Sequence, residues 1–396
     1  MRILQVHNRY RSATPSGENR VVDREHEALE GLGHELRQFT YESDEIAQWS
    51  TLKKASLPIR VVWNPQASRD MKAELREFRP EVVHVHNTFP LLSAAVLYAC
   101  HDAGIPVVAT LHNYRLACSD GGFFRNGAVC HDCADTLPVR SIARGCYRDS
   151  PAATAPVALS IAAHRKAWQS LVSAFVLISA SQRDLLRGVG LPEDRVFVRY
   201  NLIPSRGQLE TAPEPMVVYA GRLDERKGIR LLMAGWDRYQ QDVDKPGLKL
   251  AIAGGGDLGG EVAAWASTRP SVAMMGTLSS ADCADLISRA SAVLCPSICE
   301  ETFGLVAVEA MAAGVPPVAA ALGSFPELIT PGVDGALFDP ADPVALGRAI
   351  ADVERNPQQY AACGQQARQT YEKRFDPDRN LEELLEIYRF AIEHPA

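Results

Sequence analysis

The chain has 396 residues, with 41 lysines and arginines against 48 aspartates and glutamates, which gives a formal net charge of −7 at pH 7. This acidic balance argues against a general nucleic-acid-binding protein, and a hydrophobic content of 46% argues against an intrinsically disordered chain. Because single domains usually hold roughly 100–200 residues, the length predicts two domains.

The first half of the chain alternates short apolar runs with polar or helical sequence. The apolar runs are RILQVH, VVHVHN, PVVATLHN and AFVLISAS. The first run precedes a loop with Ser16 and Gly17 and a predicted helix near 18–33. Such alternation indicates a parallel sheet with helices on both faces, so the sequence predicts one doubly wound unit here.

Segment 51–80 carries seven basic and three acidic residues, with Trp49 and Trp63 nearby. One interpretation is a solvated amphipathic helix, and the other is a peripheral contact with an anionic membrane surface. Apolar runs such as VAVEAMAAGVPPVAAAL are interrupted before they reach the about 20 residues that a membrane span requires. The N-terminus lacks the long apolar stretch of a signal peptide, so we expect a cytoplasmic protein, with any membrane contact at the inner face.

Four of the nine cysteines lie close together in the pattern C-x11-C-x2-C-x12-C. These four are Cys118, Cys130, Cys133 and Cys146. A reducing cytoplasm does not favour disulfides, whereas a Cys-x2-Cys turn lets two thiolates reach one tetrahedral ion, so one interpretation is a structural zinc site. The other is that these cysteines are small buried hydrophobic residues, because the outer spacings fit no widespread zinc pattern.

The alternation begins again in the second half of the chain. The apolar runs there are MVVYAGRL, LKLAIAGGG, SVAMMGT and SAVLCPS, and they predict a second sheet of the same kind. Between the halves, the Pro-rich and polar stretch near 200–215 predicts a linker. The chain ends in an amphipathic helix with apolar residues at helical spacing, namely Leu381, Leu384, Leu385, Tyr388 and Ile392.

The predicted fold is therefore α/β, with two doubly wound Rossmann-like domains facing across a cleft. We place the N-terminal domain at 1–203 and the C-terminal domain at 204–375, and we expect the helix at 376–396 to pack back on the first. In folds of this kind ligands bind at the carboxyl ends of the strands.

The stretch EETFGLVAVEAMAAG at 300–314 places a lone carboxylate, Glu309, inside an apolar helix that we expect to be buried. A buried carboxylate is costly unless it is hydrogen-bonded, and ligand hydroxyl groups could supply those bonds. Glu301 lies in the loop before the helix, whose first amides near Gly304 and Leu305 are free to bind an anion or sugar oxygens.

Opposite charge is expected at the same edge of the second sheet. Arg222 and Lys227 lie in AGRLDERKG, directly after the first strand of that sheet. A planar guanidinium and a point-charged ammonium together suit a diphosphate. Two carboxylates and two cations therefore predict a ligand that carries both hydroxyl groups and phosphates.

These motifs resemble those of the family-4 retaining glycosyltransferases of GT-B fold. The resemblance rests on E-x7-E, formed by Glu301 and Glu309, on GRLDERKG, on PELI at 326–329, and on the architectural doubling. It implies that the donor is a nucleoside-diphosphate sugar whose diphosphate is held by Arg222 and Lys227. It also implies that Glu309 binds the ribose hydroxyls.

The resemblance further implies that Glu301 binds the donor sugar, together with the amides near Gly304 and Leu305. His112, in ATLHNYR, matches the histidine that the family has near the reacting centre, so we take His112 and Glu301 as the catalytic candidates. Gly17 is the candidate for donor contact in the first loop, where the family often has two adjacent glycines. The resemblance implies that the N-terminal domain takes the acceptor and that the C-terminal domain binds the nucleotide-sugar. His84 and His86 are expected in the core or along the wall of the acceptor site.

The predicted activity is a retaining transfer of a hexose to a saccharide, a lipid-linked or a small-molecule acceptor, as in polysaccharide biosynthesis. No cofactor is expected for catalysis, because the two cations can neutralise the leaving diphosphate. Two alternatives stay open: a sugar- or nucleotide-sugar-binding protein without turnover, and a sugar epimerase of the same fold.

Overall fold

The computed structural model describes residues 1–10, 16–205, 213–342 and 344–396. Packing divides the chain into two compact units: Met1–Arg125 with Cys130–Leu202 and Asp378–Ala396, and Asn126–Val129 with Ile203–Pro377. The domain limits predicted from the sequence stay a prediction, which limited proteolysis can test. Residues 206–212 of the predicted linker lie outside the described residues.

The first unit contains the first large sheet. The strands of this half of the chain are β1 (Arg2–Arg9), β2 (Glu35–Glu42), β3 (Val82–Asn87), β4 (Val107–Leu111), β5 (Phe124–Arg125), β6 (Ala128–Val129), β7 (Ala174–Leu177) and β8 (Val196–Val198). Six of them form a parallel sheet in the order β2-β1-β3-β4-β7-β8, and β5 and β6 lie outside it. Every residue of β3, β4 and β7 is buried, as expected for strands covered on both faces.

Helices cover this sheet. They are α1 (Gly17–Gly31), α2 (Glu45–Gln48), α3 (Thr51–Ala55), α4 (Leu57–Val62), α5 (Pro65–Phe78), α6 (Ala95–Asp102), α7 (Arg140–Ala143), α8 (Pro151–Leu171) and α9 (Ala180–Leu185). Segment 51–80 is therefore three helices and not the one amphipathic helix that we expected. Asn64 explains one break, because its side chain accepts from the amides of Gln66 and Ala67 and so begins α5.

The second unit repeats the architecture. Its strands are β9 (Met216–Ala220), β10 (Lys249–Ala253), β11 (Val272–Gly276), β12 (Ala292–Cys295), β13 (Pro317–Ala320) and β14 (Ala336–Phe338). They form a parallel sheet in the order β11-β10-β9-β12-β13-β14. The strand order reverses between β9 and β12 here, and between β1 and β3 in the first unit. Ligands bind at such switch points.

The remaining helices are α10 (Ile229–Asp242), α11 (Gly259–Ala266), α12 (Ser280–Ser288), α13 (Leu305–Ala312), α14 (Phe325–Leu328), α15 (Ala345–Arg355), α16 (Pro357–Arg374) and α17 (Pro377–Glu393). Helix α17 packs on the first sheet, where Leu384 and Tyr388 join a core that contains Ile3 and Val82. Ile392, which we expected on the apolar face, is 38% exposed. Among the described residues, no helix is both long and apolar enough to cross a bilayer.

Candidate functional site

A lysine–glutamate pair lies at the switch point of the second sheet. The Nζ of Lys227, in the loop after β9, donates to both carboxylate oxygens of Glu301 at 2.8 and 2.7 Å. The hydroxyl of Ser297, just after β12, donates to Glu301 Oε2 at 2.9 Å. The side chains of Lys227 and Glu301 are 27% and 14% exposed. Two predicted donor-site residues therefore lie in direct contact.

The environment keeps both members of this pair charged. Burial opposes the charge of Glu301, but Lys227 outweighs it and lowers the pKa of that carboxyl below its usual range. Burial likewise opposes the charge of Lys227, and attraction to Glu301 raises the pKa of the ammonium above its usual value. The site thus holds a fixed positive and a fixed negative charge at neutral pH.

Arg222 lies in the same loop as Lys227 and is partly exposed. It is paired with Asp224 at 3.0 Å and its side chain is 41% exposed. The other carboxylate oxygen of Asp224 accepts the backbone amide of Lys227 at 2.9 Å, and the Tyr219 hydroxyl donates to the carbonyl of Arg222 at 2.6 Å. These bonds fix the loop, so that Arg222 can meet an anion without reordering the backbone.

A glycine permits the two loops to meet. Gly228 has φ of 68°, and a Cβ at this position would lie 1.8 Å from the carbonyl oxygen of Pro296. The amide of Ile298 donates to the carbonyl of Arg226 at 2.9 Å across the same contact. Only glycine allows this close approach of the backbones, which brings Lys227 to Glu301.

Helix α13 carries the second carboxylate of E-x7-E. The helix begins after Gly304, which has φ of 78° and provides no side-chain cap. Glu309 is half-buried, and Leu305 and Val306 are too, whereas Ala307 and Val308 are buried. Our expectation that the helix is buried all round was therefore wrong for this face. Because Leu305 and Glu309 are one turn apart, both are accessible on the same open face.

In the first unit, His112 lies just beyond β4 and is 9% exposed. Its Nε2 is 3.1 Å from Nδ1 of His86, and the two rings are stacked with centroids 5.4 Å apart. Burial lowers the pKa of His112 to about 3 and that of His86 well below its usual value. Both imidazoles are therefore neutral at pH 7, and each offers one donor and one acceptor.

A buried ion pair lies behind these histidines. Glu25 Oε2 accepts from Arg199 at 2.9 Å, and Glu25 Oε1 is 3.1 Å from Nδ1 of His84 and 3.6 Å from Nε2 of His86. Burial raises the pKa of Glu25, but Arg199 and His84 outweigh it and lower that pKa to about 2. His84 and His86 are thus both buried, and His86 also lines the pocket beside His112.

The side chains of this group are also of the types that bind metal ions. Glu25, His84 and His86 form the one set of three ligand atoms within 4.8 Å of one another in the part of the chain that the structure describes. However, both ring nitrogens of His84 are engaged, by the hydroxyls of Tyr388 and Thr110, each at 2.7 Å. The cation of Arg199 already neutralises the carboxylate. The donor set therefore fits a buried polar network better than a metal ion.

Sequence reasoning missed Glu25 and Arg199, which are 174 residues apart in the chain. The sequence does indicate a buried Glu25, because Val21, Glu25 and Leu29 have the spacing of one buried helix face. It also missed Glu18, whose pKa burial raises to about 8 against hydrogen bonds from Tyr10 and Asn113.

The predicted contact residue Gly17 is the first residue of α1. Ser16 caps this helix, because its hydroxyl accepts from the amide of Asn19 at 3.3 Å. Residues 11–15 of the preceding loop lie outside the described residues. The role of Gly17 in donor binding stays a prediction.

The four clustered cysteines line one small cavity, together with Asp120, Arg125 and Arg144. The cavity measures about 20 Å³, which is the room that a single water or ion requires. All four thiols are free, and Cys118 and Cys133 are buried. Burial raises the pKa of the Cys118 thiol above its usual value, against the backbone amides of Gly121, Phe123 and Asp120, which favour the thiolate. Cys118 also belongs to the apolar core of the first unit, together with Tyr114 and Ala117.

A larger pocket of about 80 Å³ lies beside His112 in the first unit. Its polar lining includes Asn87, Asn113, Arg115 and Arg165. Its apolar wall is formed by residues of α8 and of the loops after β3 and β4, among them Phe89, Val157, Ile161 and Trp168.

Comparisons with known proteins agree with this geometry. The sequence model described as Glycosyl transferases group 1 matches residues 205–370, and the one described as Glycosyltransferase Family 4 matches residues 15–205. The glycogen synthase of Mycobacterium tuberculosis is 28% identical over 76% of this chain and 66% of its own length. The D-inositol 3-phosphate glycosyltransferase of Segniliparus rotundus is 32% identical over 48% of this chain and 43% of its own length.

The chain thus spans less than two thirds of these curated relatives. Among solved structures, Anabaena HepE in complex with UDP and glucose has a TM-score of 0.67 at 17% identity, and the match covers 98% of each chain. This likeness confirms the predicted fold class, a pair of Rossmann-like domains of GT-B type.

Proposed function

Because the chain belongs to the family-4 glycosyltransferases, we propose that it is a retaining enzyme that transfers a sugar from a nucleoside-diphosphate sugar to an acceptor hydroxyl. The observation that carries this proposal is the pairing of Lys227 with Glu301, beside the exposed Arg222, at the switch point of the second sheet. Fixed charges of both signs at this place suit a ligand with phosphates and hydroxyl groups.

In the proposed transfer the bond between the anomeric carbon and the diphosphate breaks, and a glycosidic bond to the acceptor oxygen forms on the same face. The acceptor proton passes to an oxygen of the leaving diphosphate. Arg222 and Lys227 stabilise the charge that develops on that leaving group, and Glu301 orients the sugar. His112 is the proposed group of the first unit at the reacting centre. This scheme requires no cofactor.

The names of similar proteins support a nucleotide donor and an acceptor of polysaccharide or sugar-phosphate type. HepE is described in complex with UDP and glucose, and two curated relatives are a glycogen synthase and a D-inositol 3-phosphate glycosyltransferase. We propose a UDP-sugar or a related nucleotide-sugar as donor, in a cytoplasmic step of saccharide synthesis.

Turnover of a nucleotide-sugar panel tests the proposal. The purified chain is mixed with UDP-, GDP- and ADP-sugars and a cell extract that supplies acceptors, and glycosylated products are detected by mass spectrometry. We expect one donor to be consumed with a product whose anomeric configuration matches the donor. Nucleotide binding without turnover would favour the binding-protein alternative, and conversion of the free nucleotide-sugar to an epimer would favour the epimerase.

Glu309 is the proposed partner of the ribose hydroxyls. We expect Glu309→Gln to melt within about 1–2 °C of the wild type without ligand, because the amide keeps the size of the side chain and much of its hydrogen-bonding capacity. The variant should lose most of the thermal stabilisation that UDP gives the wild type. A large loss of melting temperature without UDP, with the UDP effect intact, would show that Glu309 is structural.

We also propose that the four clustered cysteines bind one structural zinc ion. Support comes from the shared ion-sized cavity, from the amides around the Cys118 sulfur, and from Arg125 and Arg144 at its rim. Four thiolates around Zn²⁺ leave a net charge of about −2, which nearby arginines stabilise. The ligand atoms are not among the sets within 4.8 Å of one another, so binding would draw the sulfurs together.

Metal analysis of the protein purified under reducing conditions tests this zinc site. We expect about one zinc per chain in the wild type and in Cys283→Ser, a half-exposed cysteine outside the cluster, but less than a tenth of that in Cys133→Ser. Absence of zinc in the wild type, or zinc retained by Cys133→Ser, would favour the other interpretation, in which these cysteines are small buried hydrophobic residues.

A peripheral membrane contact is the last part of the proposal. Leu52 and Ile59, on α3 and α4, are 86% and 71% exposed, beside Lys53 and Lys54. Exposed apolar side chains can enter the bilayer surface, and neighbouring lysines can contact its anionic headgroups. We expect co-sedimentation with phosphatidylglycerol vesicles that is lost in the Leu52→Glu, Ile59→Glu double variant. Equal pelleting of both proteins would refute this contact.

A further inference from the structure

An arginine without a partner lines the pocket beside His112. Arg165 lies on α8, and its Nε and Nη2 atoms are closed off from solvent. Neither nitrogen has a hydrogen-bond partner within the described part of the chain. The residues around it include Val157, Ile161 and Trp168, which are apolar or nearly so. Two nitrogens of this half-buried cation therefore lie beside a pocket of mixed polar and apolar lining without a protein acceptor among the described residues.

Such an arrangement is costly in the protein alone. A buried guanidinium loses the hydration of its N–H groups and normally recovers it through a carboxylate or a carbonyl oxygen. Arg115, in the same pocket, is a guanidinium whose N–H groups do have protein acceptors. Its Nη1 and Nη2 donate to the carbonyls of Ser119 and Asp120 at 2.8 and 3.3 Å, and its guanidinium lies 4.1 Å over the ring of Phe89.

Arg115 is therefore a structural arginine, whereas Arg165 has N–H groups left for a ligand. The guanidinium fork matches the geometry of a phosphate or a carboxylate, each of which accepts two parallel N–H bonds. Asn87 and Asn113 also line the pocket, and their side chains are held in place by hydrogen bonds to the backbone of Asn8, Phe89 and Arg115. Its volume of about 80 Å³ admits a phosphate-sized group.

We propose that Arg165 binds an anionic group, a phosphate or a carboxylate, of the acceptor. The inference rests on the proposed function, in that the first unit receives the acceptor, and it narrows the acceptor to a negatively charged one. The same chemistry could come from a lipid phosphate or from a soluble sugar phosphate.

Binding to the full chain, measured by calorimetry, tests the proposal. The probes form two pairs: octyl phosphate with octyl glucoside, and glucose 6-phosphate with glucose. We expect the wild type to bind at least one phosphate about 10- to 100-fold more tightly than its neutral counterpart. Preference for octyl phosphate indicates a lipid-linked acceptor, and preference for glucose 6-phosphate a soluble one.

The variants are Arg165→Met, which keeps the apolar stem, and Lys166→Met, which removes an exposed charge from the next residue of the same helix. We expect Arg165→Met to abolish the preference for phosphate, and Lys166→Met to keep it. Because no protein group is left unpaired, Arg165→Met should melt no lower than the wild type without ligand. Arg165→Gln serves as a second variant if the first does not fold.

Three results would overturn the proposal: no phosphate preference in the wild type, a preference that survives in Arg165→Met and Arg165→Gln, or a lower melting temperature of both variants without ligand. UDP affinity is measured in parallel and should be unchanged in all variants. Loss of phosphate binding with UDP binding and turnover intact supports the inference. A wild type that binds phosphate through Arg165 but neither binds nor turns over any nucleotide-sugar would instead contradict the proposed function alone.

Discussion

Individual side chains at both candidate sites are held by charged partners rather than by solvent. Lys227 and Glu301 pair in the second unit, and Glu25 and Arg199 pair at 2.9 Å in the first. A buried pair is stable only as long as both members are present, because removal of one leaves an uncompensated charge. Arg222, with a side chain 41% exposed, differs from them, since solvent can replace its partner.

This difference predicts distinct effects of two cation deletions. Arg222→Ala and Lys227→Ala should each weaken UDP binding, because each removes charge-assisted bonds worth about 1.5–3 kcal/mol. Without nucleotide, Lys227→Ala should also lower the free energy of unfolding by about 1–3 kcal/mol, because Glu301 loses its partner. Arg222→Ala should change it by less than about 0.5 kcal/mol.

Calorimetry with UDP and urea denaturation without it measure the two effects. Arg230→Ala, which removes a side chain that is 53% exposed and pairs with Glu261, is the control and should change neither quantity much. Unaltered UDP affinity in both site variants would refute their assignment to the diphosphate.

Neutral buried histidines predict the pH dependence of stability. Burial lowers the pKa of His7 from 6.5 to about 4. Below pH 6.5 the unfolded chain binds a proton at this residue that the native protein does not bind, so stability present above pH 6.5 is lost as the pH falls towards 4. The slope is about 1.4 kcal/mol per pH unit for one such group.

Urea denaturation at pH 6 and pH 4.5 compares the wild type with His7→Gln and with His101→Gln, an exposed control. We expect the stability of the wild type to fall more steeply than that of His7→Gln, and as steeply as that of His101→Gln. Parallel curves for all three proteins would show that His7 is protonated in the native state.

At the scale of elements, the start of helix α13 depends on one backbone conformation. Gly304 has φ of 78°, and a Cβ there would lie 2.6 Å from the ring of Phe325. Both facts exclude a side chain, so this glycine sets the direction of the helix that carries Leu305 and Glu309. The fold thereby places Glu309 on the accessible face of an otherwise apolar helix.

Gly304→Ala should therefore lower the free energy of unfolding by about 1–3 kcal/mol, through backbone strain and the contact with Phe325. Gly260→Ala, in α11, is the matched control, because a Cβ there meets nothing within 4 Å. The control should be neutral or more stable by up to about 1 kcal/mol, owing to the better helix propensity of alanine. Equal stability of the two variants in urea denaturation would refute the argument.

At the scale of the whole molecule, the two ends of the chain meet in the core of the first unit. Leu384 and Tyr388 of α17 pack with Ile3 of β1 and Val82 of β3. Tyr388 also reaches His84, and Arg199 donates to the side chain and the backbone carbonyl of Asn380. The C-terminal helix is therefore part of the first core and of the network behind His112.

Leu384→Ala should cost about 2–5 kcal/mol, because the residue is fully buried and its loss leaves a cavity. Ile392→Ala, on the same helix but 38% exposed, should cost less than about 1 kcal/mol. Thermal and urea denaturation measure both changes. A small effect of Leu384→Ala would mean that α17 contributes little to the first unit.

The sequence by itself determined the fold class and predicted the members of the donor site. The two series of β-rich runs predicted both parallel sheets, since the period and composition of a strand covered on two faces are local properties. GRLDERKG and E-x7-E lie next to strand ends, so Arg222, Lys227, Glu301 and Glu309 could be assigned to one edge of a sheet. The resemblance to family-4 glycosyltransferases followed from these local motifs and is confirmed.

The tertiary structure decided which of these residues touch and which remain accessible. The pairing of Lys227 with Glu301 and the buried Glu25–Arg199 pair depend on contacts between distant parts of the chain. Nε and Nη2 of Arg165 are closed off from solvent without such a contact among the described residues. Hydropathy predicted Glu309 to be buried and Ile392 to be covered, but both are partly exposed. Local sequence fixes the period of an element, whereas packing of the other elements decides which of its faces is covered.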